Sequence, residues 1–176
     1  MTRQDQETPN DADQPIKRRK LPPFPPLPER EWLNATIIDV AYRYSMRQGV
    51  VQYVTNKDGE NVIDQDTGLP IKRTEFSITF YLRDYTVPND AAKPRQLWLQ
   101  LGNSLGEKAH LPKFLENCGI EIDIDNPPSP AEIQAFLLNL DVRLQVGGVK
   151  ARKTDPEKKY QNVIWDAVKA VPKEDV

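Results

Sequence analysis

The chain has 176 residues, 38% of them apolar, which is enough for one sizeable core, and its single cysteine, Cys118, excludes an internal disulfide or a Cys-rich zinc site. A net charge of -2 excludes a uniformly basic coat protein, yet eight basic residues against three acidic between Arg143 and Lys173 reverse the seven acidic against two basic between Glu107 and Asp141. No run of 18 apolar residues exists and the first 30 residues carry no apolar signal core, so a soluble, cytoplasmic protein that does not enter a membrane is expected.

Residues 1–30 hold seven of the sixteen prolines and few apolar side chains. They are read as a disordered leader with a stiff polyproline II section at Pro22 to Pro28, because so little burial cannot offset the entropy of ordering. The basic run Lys17, Arg18, Arg19 and Lys20 stands just ahead of the prolines. It can serve as an arm that adds phosphate contacts, and a plain spacer is equally compatible. The spacings Arg19-x-x-Pro22-x-x-Pro25 and Pro25-x-x-Pro28-x-Arg30 also suit the aromatic grooves of peptide-binding domains. A folded domain is expected over 31–172, with a short tail at 173–176.

LNATIIDVAYRY, Leu33 to Tyr44, is rich in β-branched and aromatic residues and predicts a long strand. Val50 to Val54 reads as its continuation or as a short partner after a turn at Gly49. Turn signals at Asp58-Gly59 and Thr67-Gly68 predict an excursion beyond the main sheet. RTEFSITFYLRD alternates cleanly, with Phe76, Ile78, Phe80 and Leu82 inward and Glu75, Ser77, Thr79, Tyr81 and Arg83 outward. RQLWLQL repeats the pattern, leaving Trp98 outward between Leu97 and Leu99.

Two helices follow. The first is expected near Leu111 to Cys118, with Pro112 in its first turn and Gly119 closing it. The second starts at Ser129 as cap, with Pro130 first, Glu132 completing a capping box, and Ile133, Phe136, Leu137 and Leu140 along one stripe. DVRLQVGGVKARKT then alternates as a strand that breaks at Gly147-Gly148, where a bulge or bend is expected. DPEKK makes a tip, and Tyr160 to Val171 returns as an antiparallel partner. Five strands with a helix between the third and fourth is the connectivity of an OB-fold-like, five-stranded, partly open barrel, so the fold class expected is mainly β with a helical insertion. Other small β folds with one helical insertion share that pattern.

Catalytic chemistry has little to work with. His110 is the only histidine and reads as a capping or surface residue, without a nucleophile in a triad or elbow context. Cys118 reads as a small buried hydrophobe. Glu121, Asp123 and Asp125 could attract a divalent cation, but an edge whose Ile120, Ile122 and Ile124 pack inward is the plainer reading. No phosphate loop of Walker spacing is present, so neither an enzyme nor a cofactor or metal site is expected.

The distinctive feature is the pairing of basic with aromatic residues at outward strand positions. Tyr42 and Tyr44 flank Arg43, Tyr81 and Arg83 share a face, and Trp98 stands outward on the next strand. The final hairpin region adds Arg143, Lys150, Arg152, Lys153, Lys158 and Lys159, with Trp165 on the return strand. A groove that holds single-stranded nucleic acid without reading its sequence needs cations for the backbone and flat rings for the bases. The same rings could instead fill a second apolar layer under the excursion or form a subunit interface.

Taken together, EWLNATIIDV after a proline-rich lead, FSITFYLRD, LWLQLG before the helices, and RLQVGGVKARKTDPEKKYQNVI resemble the OB-fold single-stranded-DNA-binding-like proteins of bacteriophages and prophages. The resemblance covers about residues 28–168 and implies sequence-tolerant binding of single strands during DNA replication or recombination, with no cofactor and no catalysis. Single-stranded DNA is thus the expected partner, with RNA left open, alongside a homo-oligomer or a replication or recombination protein. The alternative is a protein-interaction or structural module that uses the same aromatics as a subunit interface. The excursion between Val50 and Arg73 is long for an OB loop and reads as an elaborated finger.

Overall fold

LNATIIDVAYRY forms β1 (Leu33–Tyr44), over the span its composition predicts. The structure is a computed structural model that describes residues 24–172. Lys17, Arg18, Arg19 and Lys20, and the tail at 173–176, lie outside the described residues. Past β1 the chain makes a tight hairpin of β2 (Met46–Arg47) and β3 (Val50–Val51). Its two turn residues, Gln48 and Gly49, both take positive φ, 50° and 76°, as a turn matched to strand twist requires. Isolated bridges Tyr53 to Lys72, Thr55 to Asn61 and Ile63 to Pro70 fold the rest of the excursion into a small finger, with Gly59 and Gly68 at positive φ in its two turns.

The long strands β4 (Thr74–Val87) and β5 (Asp90–Gly102) form the next antiparallel pair. Phe76, Ile78, Phe80 and Leu82 are fully buried, and Leu97 and Leu101 join them from β5. Helix α1 (His110–Asn117) follows, carrying Leu111, Phe114 and Leu115 into the core. Gly119, at φ 76°, closes it as the left-handed residue that lets the Gly119 N–H reach Glu116 O at 2.9 Å and the Ile120 N–H reach Leu115 O at 2.9 Å. Helix α2 (Pro130–Leu137) begins where expected, with the Ser129 hydroxyl accepting from the Glu132 N–H at 3.2 Å. Ile133 and Leu137, one turn apart, are buried, while Phe136 stands off that narrow stripe and is half exposed.

The last strands are β6 (Asp141–Val146), β7 (Lys150–Ala151), β8 (Lys159–Tyr160) and β9 (Val163–Ala170). Five of these strands make one antiparallel sheet in the order β5-β4-β1-β6-β9, and β7 with β8 makes a separate hairpin. A bulge between Ile37 and Asp39 lets β1 serve both neighbours, pairing with β6 through Leu33–Thr36 and with β4 along its length. The groups freed there are used: Ile37 N–H donates to Leu140 O at 2.9 Å and Ile37 O accepts from Asn139 N–H at 2.8 Å. The register shifts again between Leu144 and Val146, ahead of the glycine pair, and Gly147 N–H bonds Asn162 O at 2.9 Å. Edge strands β5 and β9 approach each other without a ladder between them, and α1 packs against both. The fold is therefore mainly β, a curved five-stranded antiparallel sheet with two short helices.

Three expectations change. Glu75 and Thr79, expected outward on β4, are each only 9% exposed, with Glu75 paired to the Arg43 guanidinium at 3.2 Å. The segment Phe24–Arg30, assigned by sequence to the leader, packs on the sheet: Leu27 is 3% exposed and Arg30 N–H bonds Val146 O at 3.0 Å. One leucine among prolines suffices because the partner surface is already built, so little entropy remains to be lost. Ile124 does not pack inward but is 83% exposed, since the turn at Asp123–Asp125, where the Asp125 N–H bonds Asp123 Oδ1 at 3.0 Å, carries the chain outward beyond Ile122.

Candidate nucleic-acid interface

Because β5 is an edge strand and the β7–β8 hairpin projects from the opposite edge, a cleft of about 1260 Å³ opens between them. Along β5 it runs from Lys93 to Leu101, nine residues that span about 26 Å of extended chain. Trp98 stands on this wall at 61% exposure, and Tyr81 lies beside it on β4. The Tyr81 hydroxyl accepts from Gln96 Nε2 at 3.2 Å, which fixes the ring against its neighbour strand. Across the cleft are Arg152, Lys153 and Lys159, with the ring of Tyr160. These cations stay together because the hairpin ladder continues past Ala151: Arg152 N–H bonds Lys158 O at 3.0 Å, and the tip closes with Lys158 N–H on Asp155 O.

Trp165 also borders the cleft, but not as an open ring. It is half-buried against the core, and His110 stacks on it with ring centroids 3.8 Å apart and planes 5° from parallel. The face presented there belongs in part to His110, which sequence reading assigned to a capping or surface role. Its position at the start of α1, beside β9, gives it a partner that no local pattern encodes.

The remaining residues singled out by sequence lie elsewhere. Arg83 is on the same strand face as Tyr81, yet its guanidinium pairs with Asp141 and reaches Thr36 Oγ1 at 3.4 Å. The hydrogen bond from the Arg83 guanidinium, followed by the Thr36 hydroxyl donating at 2.8 Å, holds the Asp141 carboxyl below its ordinary range. Arg143, on β6 between Asn34 and Lys169, does not line the cleft, and neither do Lys150 and Lys158. Lys158 turns back on Asp155 at 3.9 Å. Tyr42 and Tyr44 continue the inner face of the sheet beyond the core: Tyr42 packs on Phe76 with ring centroids 5.3 Å apart, and Lys72 lies 5.0 Å over the Tyr44 ring. They belong to the base of the finger.

No protein-family model matches this chain, and no curated protein matches it either. The geometry carries the functional argument.

Sequence reading passed over three contributors. Arg95 sits on β5 in the cleft wall, donates to Pro25 O at 2.6 Å and holds its guanidinium 4.9 Å over the Phe24 ring. Partial burial there lowers its pKa from the ordinary value. Tyr160 and Phe24 are the other two; both line the same cleft. The only signal for them was their nearness in sequence to recognised basic residues. The carboxylates Glu121, Asp123 and Asp125 do not converge, and no cluster of metal-ligating side chains occurs among the described residues. Cys118 is buried, which pushes its thiol up to about 12 and leaves it protonated and unreactive. No helix among the described residues is long and apolar enough to cross a membrane. What the cleft offers chemically is rings and cations on both walls: Tyr81, Trp98 and Arg95 on one, and Tyr160 with Arg152, Lys153 and Lys159 on the other.

Proposed function

We propose that the sheet is an OB-type barrel left open between β5 and β9, and that its cleft binds single-stranded DNA with little sequence preference. The single observation that carries this reading is that Tyr81 and Trp98 line the same cleft as Arg152, Lys153 and Lys159, although 50 or more residues separate the two groups. In an OB fold the face of the second and third strands, flanked by the loops after the first and fourth, takes oligonucleotides. Here β4 and β5 are the second and third long strands, and the β7–β8 hairpin lies between the fourth and fifth. Each stacked base contributes about 1–3 kcal/mol, and the hairpin cations add a salt-dependent share through released counterions. The basic run Lys17–Lys20 is outside the described residues, but only three residues separate it from Phe24, which borders the cleft. The activity proposed is binding, in the replication or recombination setting that the sequence resemblance implies.

The test is a fluorescence-anisotropy titration with labelled oligo-dT, competed by unlabelled single-stranded DNA, single-stranded RNA and duplex. Displacement by single-stranded DNA at concentrations where duplex has no effect is expected. Equal competition by duplex, or no binding of the probe, overturns the reading, and stronger competition by RNA reassigns the ligand.

A protein-contact reading has its own support in the finger, where Met46, Val50, Ile63 and Leu69 leave large apolar side chains exposed. A stable oligomer in light scattering that Leu69→Glu converts to monomer favours subunit contact there; a monomer for both proteins counts against it.

A further inference from the structure

We propose that Phe24 is one of the base-stacking rings of the cleft, held in position by Arg95 and by the anchoring of the chain at Leu27. This rests on the reading of the cleft as a single-strand site and adds to it an element that neither the sheet nor the hairpin supplies.

The segment is anchored at Leu27. Leu27 is buried, its N–H donates to Gln161 Oε1 at 2.8 Å, and its C=O accepts from Gln161 Nε2 at 3.0 Å. One side chain thus satisfies both main-chain groups, as a neighbouring strand would. The same Nε2 donates to Gly147 O at 3.1 Å, so the anchor is tied to the junction from which the basic hairpin departs. Upstream of the anchor, Pro25 and Pro26 restrict the backbone, and Pro25 O accepts the short bond from Arg95. Phe24 is therefore carried at low entropic cost to the cleft, which it borders at 50% exposure.

The side chains there have a division of labour that fits a nucleotide. Phe24 has no polar atom, so it offers only a flat apolar face. Arg95 braces that ring from 4.9 Å and spends one of its five N–H donors on Pro25 O, which leaves the others for a phosphate. A single nucleotide presents this combination of a base and an anionic backbone. Arg95, Leu27 and Gln161 act as positioning residues for the ring.

Oligo-dT affinity compared among the wild type, Phe24→Ala, Phe24→Trp and Trp98→Ala tests the proposal, with melting temperature recorded for each. Phe24→Ala is expected to weaken binding by about 5- to 150-fold, the loss of one stacked base, with an unchanged melting temperature. Phe24→Trp should restore affinity, and oligo-dT should quench its added fluorescence. If Trp98→Ala weakens binding while Phe24→Ala stays within about twofold of wild type, the proposal falls and the cleft reading stands. Tighter binding by Phe24→Ala also overturns it, because the segment then competes with the ligand as a lid. A wild type that does not bind oligo-dT overturns both.

Discussion

Reversing the charge of Arg152, Lys153 and Lys159 together, each to Glu, is expected to lower oligo-dT affinity by about 100-fold or more near 0.1 M salt. A charge-assisted hydrogen bond is worth about 1.5–3 kcal/mol where it is fully formed, and even about 1 kcal/mol from each of three exposed side chains sums to two orders of magnitude. The dependence on salt should fall as well, since each neutralised phosphate on a single strand contributes about 0.7 to the slope of log K against log salt, so three lost contacts remove about 2. The comparison that makes this specific is Lys150→Glu with Lys158→Glu. Both residues belong to the same hairpin, but neither lines the cleft. Without direct contact they act on a bound strand only through salt-screened charge, so this pair should cost less. Equal losses in the two variants would mean that a diffuse basic surface, and not the cleft, does the binding.

Phe114→Ala should destabilise the fold by about 3–5 kcal/mol, whereas Phe136→Ala should cost under about 1 kcal/mol. Phe114 is fully buried on α1, the helix that packs against both open edges of the sheet. Truncating it leaves a cavity under α1, which packs against β5 and β9. Phe136, also on a helix, is 49% exposed and loses little by shortening. Urea unfolding of the two variants separates the cases. For a domain near 150 residues, the first change corresponds to a fall in Tm of roughly 6–20 °C. Similar losses at both positions would mean that the burial of Phe114 on α1 does not set its contribution to stability.

The extent of β1, the central parts of β4 and β5 and the start of α2 were legible in the sequence because local rules decide them, whereas the run of β4 on to Val87 and the start of β5 at Asp90 were not. Alternation sets which face of Phe76 to Leu82 is buried, and a serine hydroxyl caps a helix wherever the next three residues can turn. The closing of α1 at Gly119 is local in the same way. The outward position of Trp98 and the basic hairpin were equally readable. Tyr42 and Tyr44 were misjudged for a reason that alternation cannot reveal: the bulge at Ile37/Asp39 changes which face the later residues of β1 present. Arg83 had the right face and the wrong partner, because Asp141 lies 58 positions away in the chain yet beside it in space.

By itself, then, the order of residues determined a chain of strands broken by two helices, and rings and cations displayed on its outer positions. Tertiary structure alone decided which of them share a cleft. It set Trp98 across from Arg152, stacked His110 on Trp165, and drew Phe24 and Leu27 out of the supposed leader onto Arg95 and Gln161. The physical reason is one of range. Period, caps and turns act over a few residues and leave their mark in the local pattern, whereas contacts between distant segments depend on the register and curvature of the whole sheet.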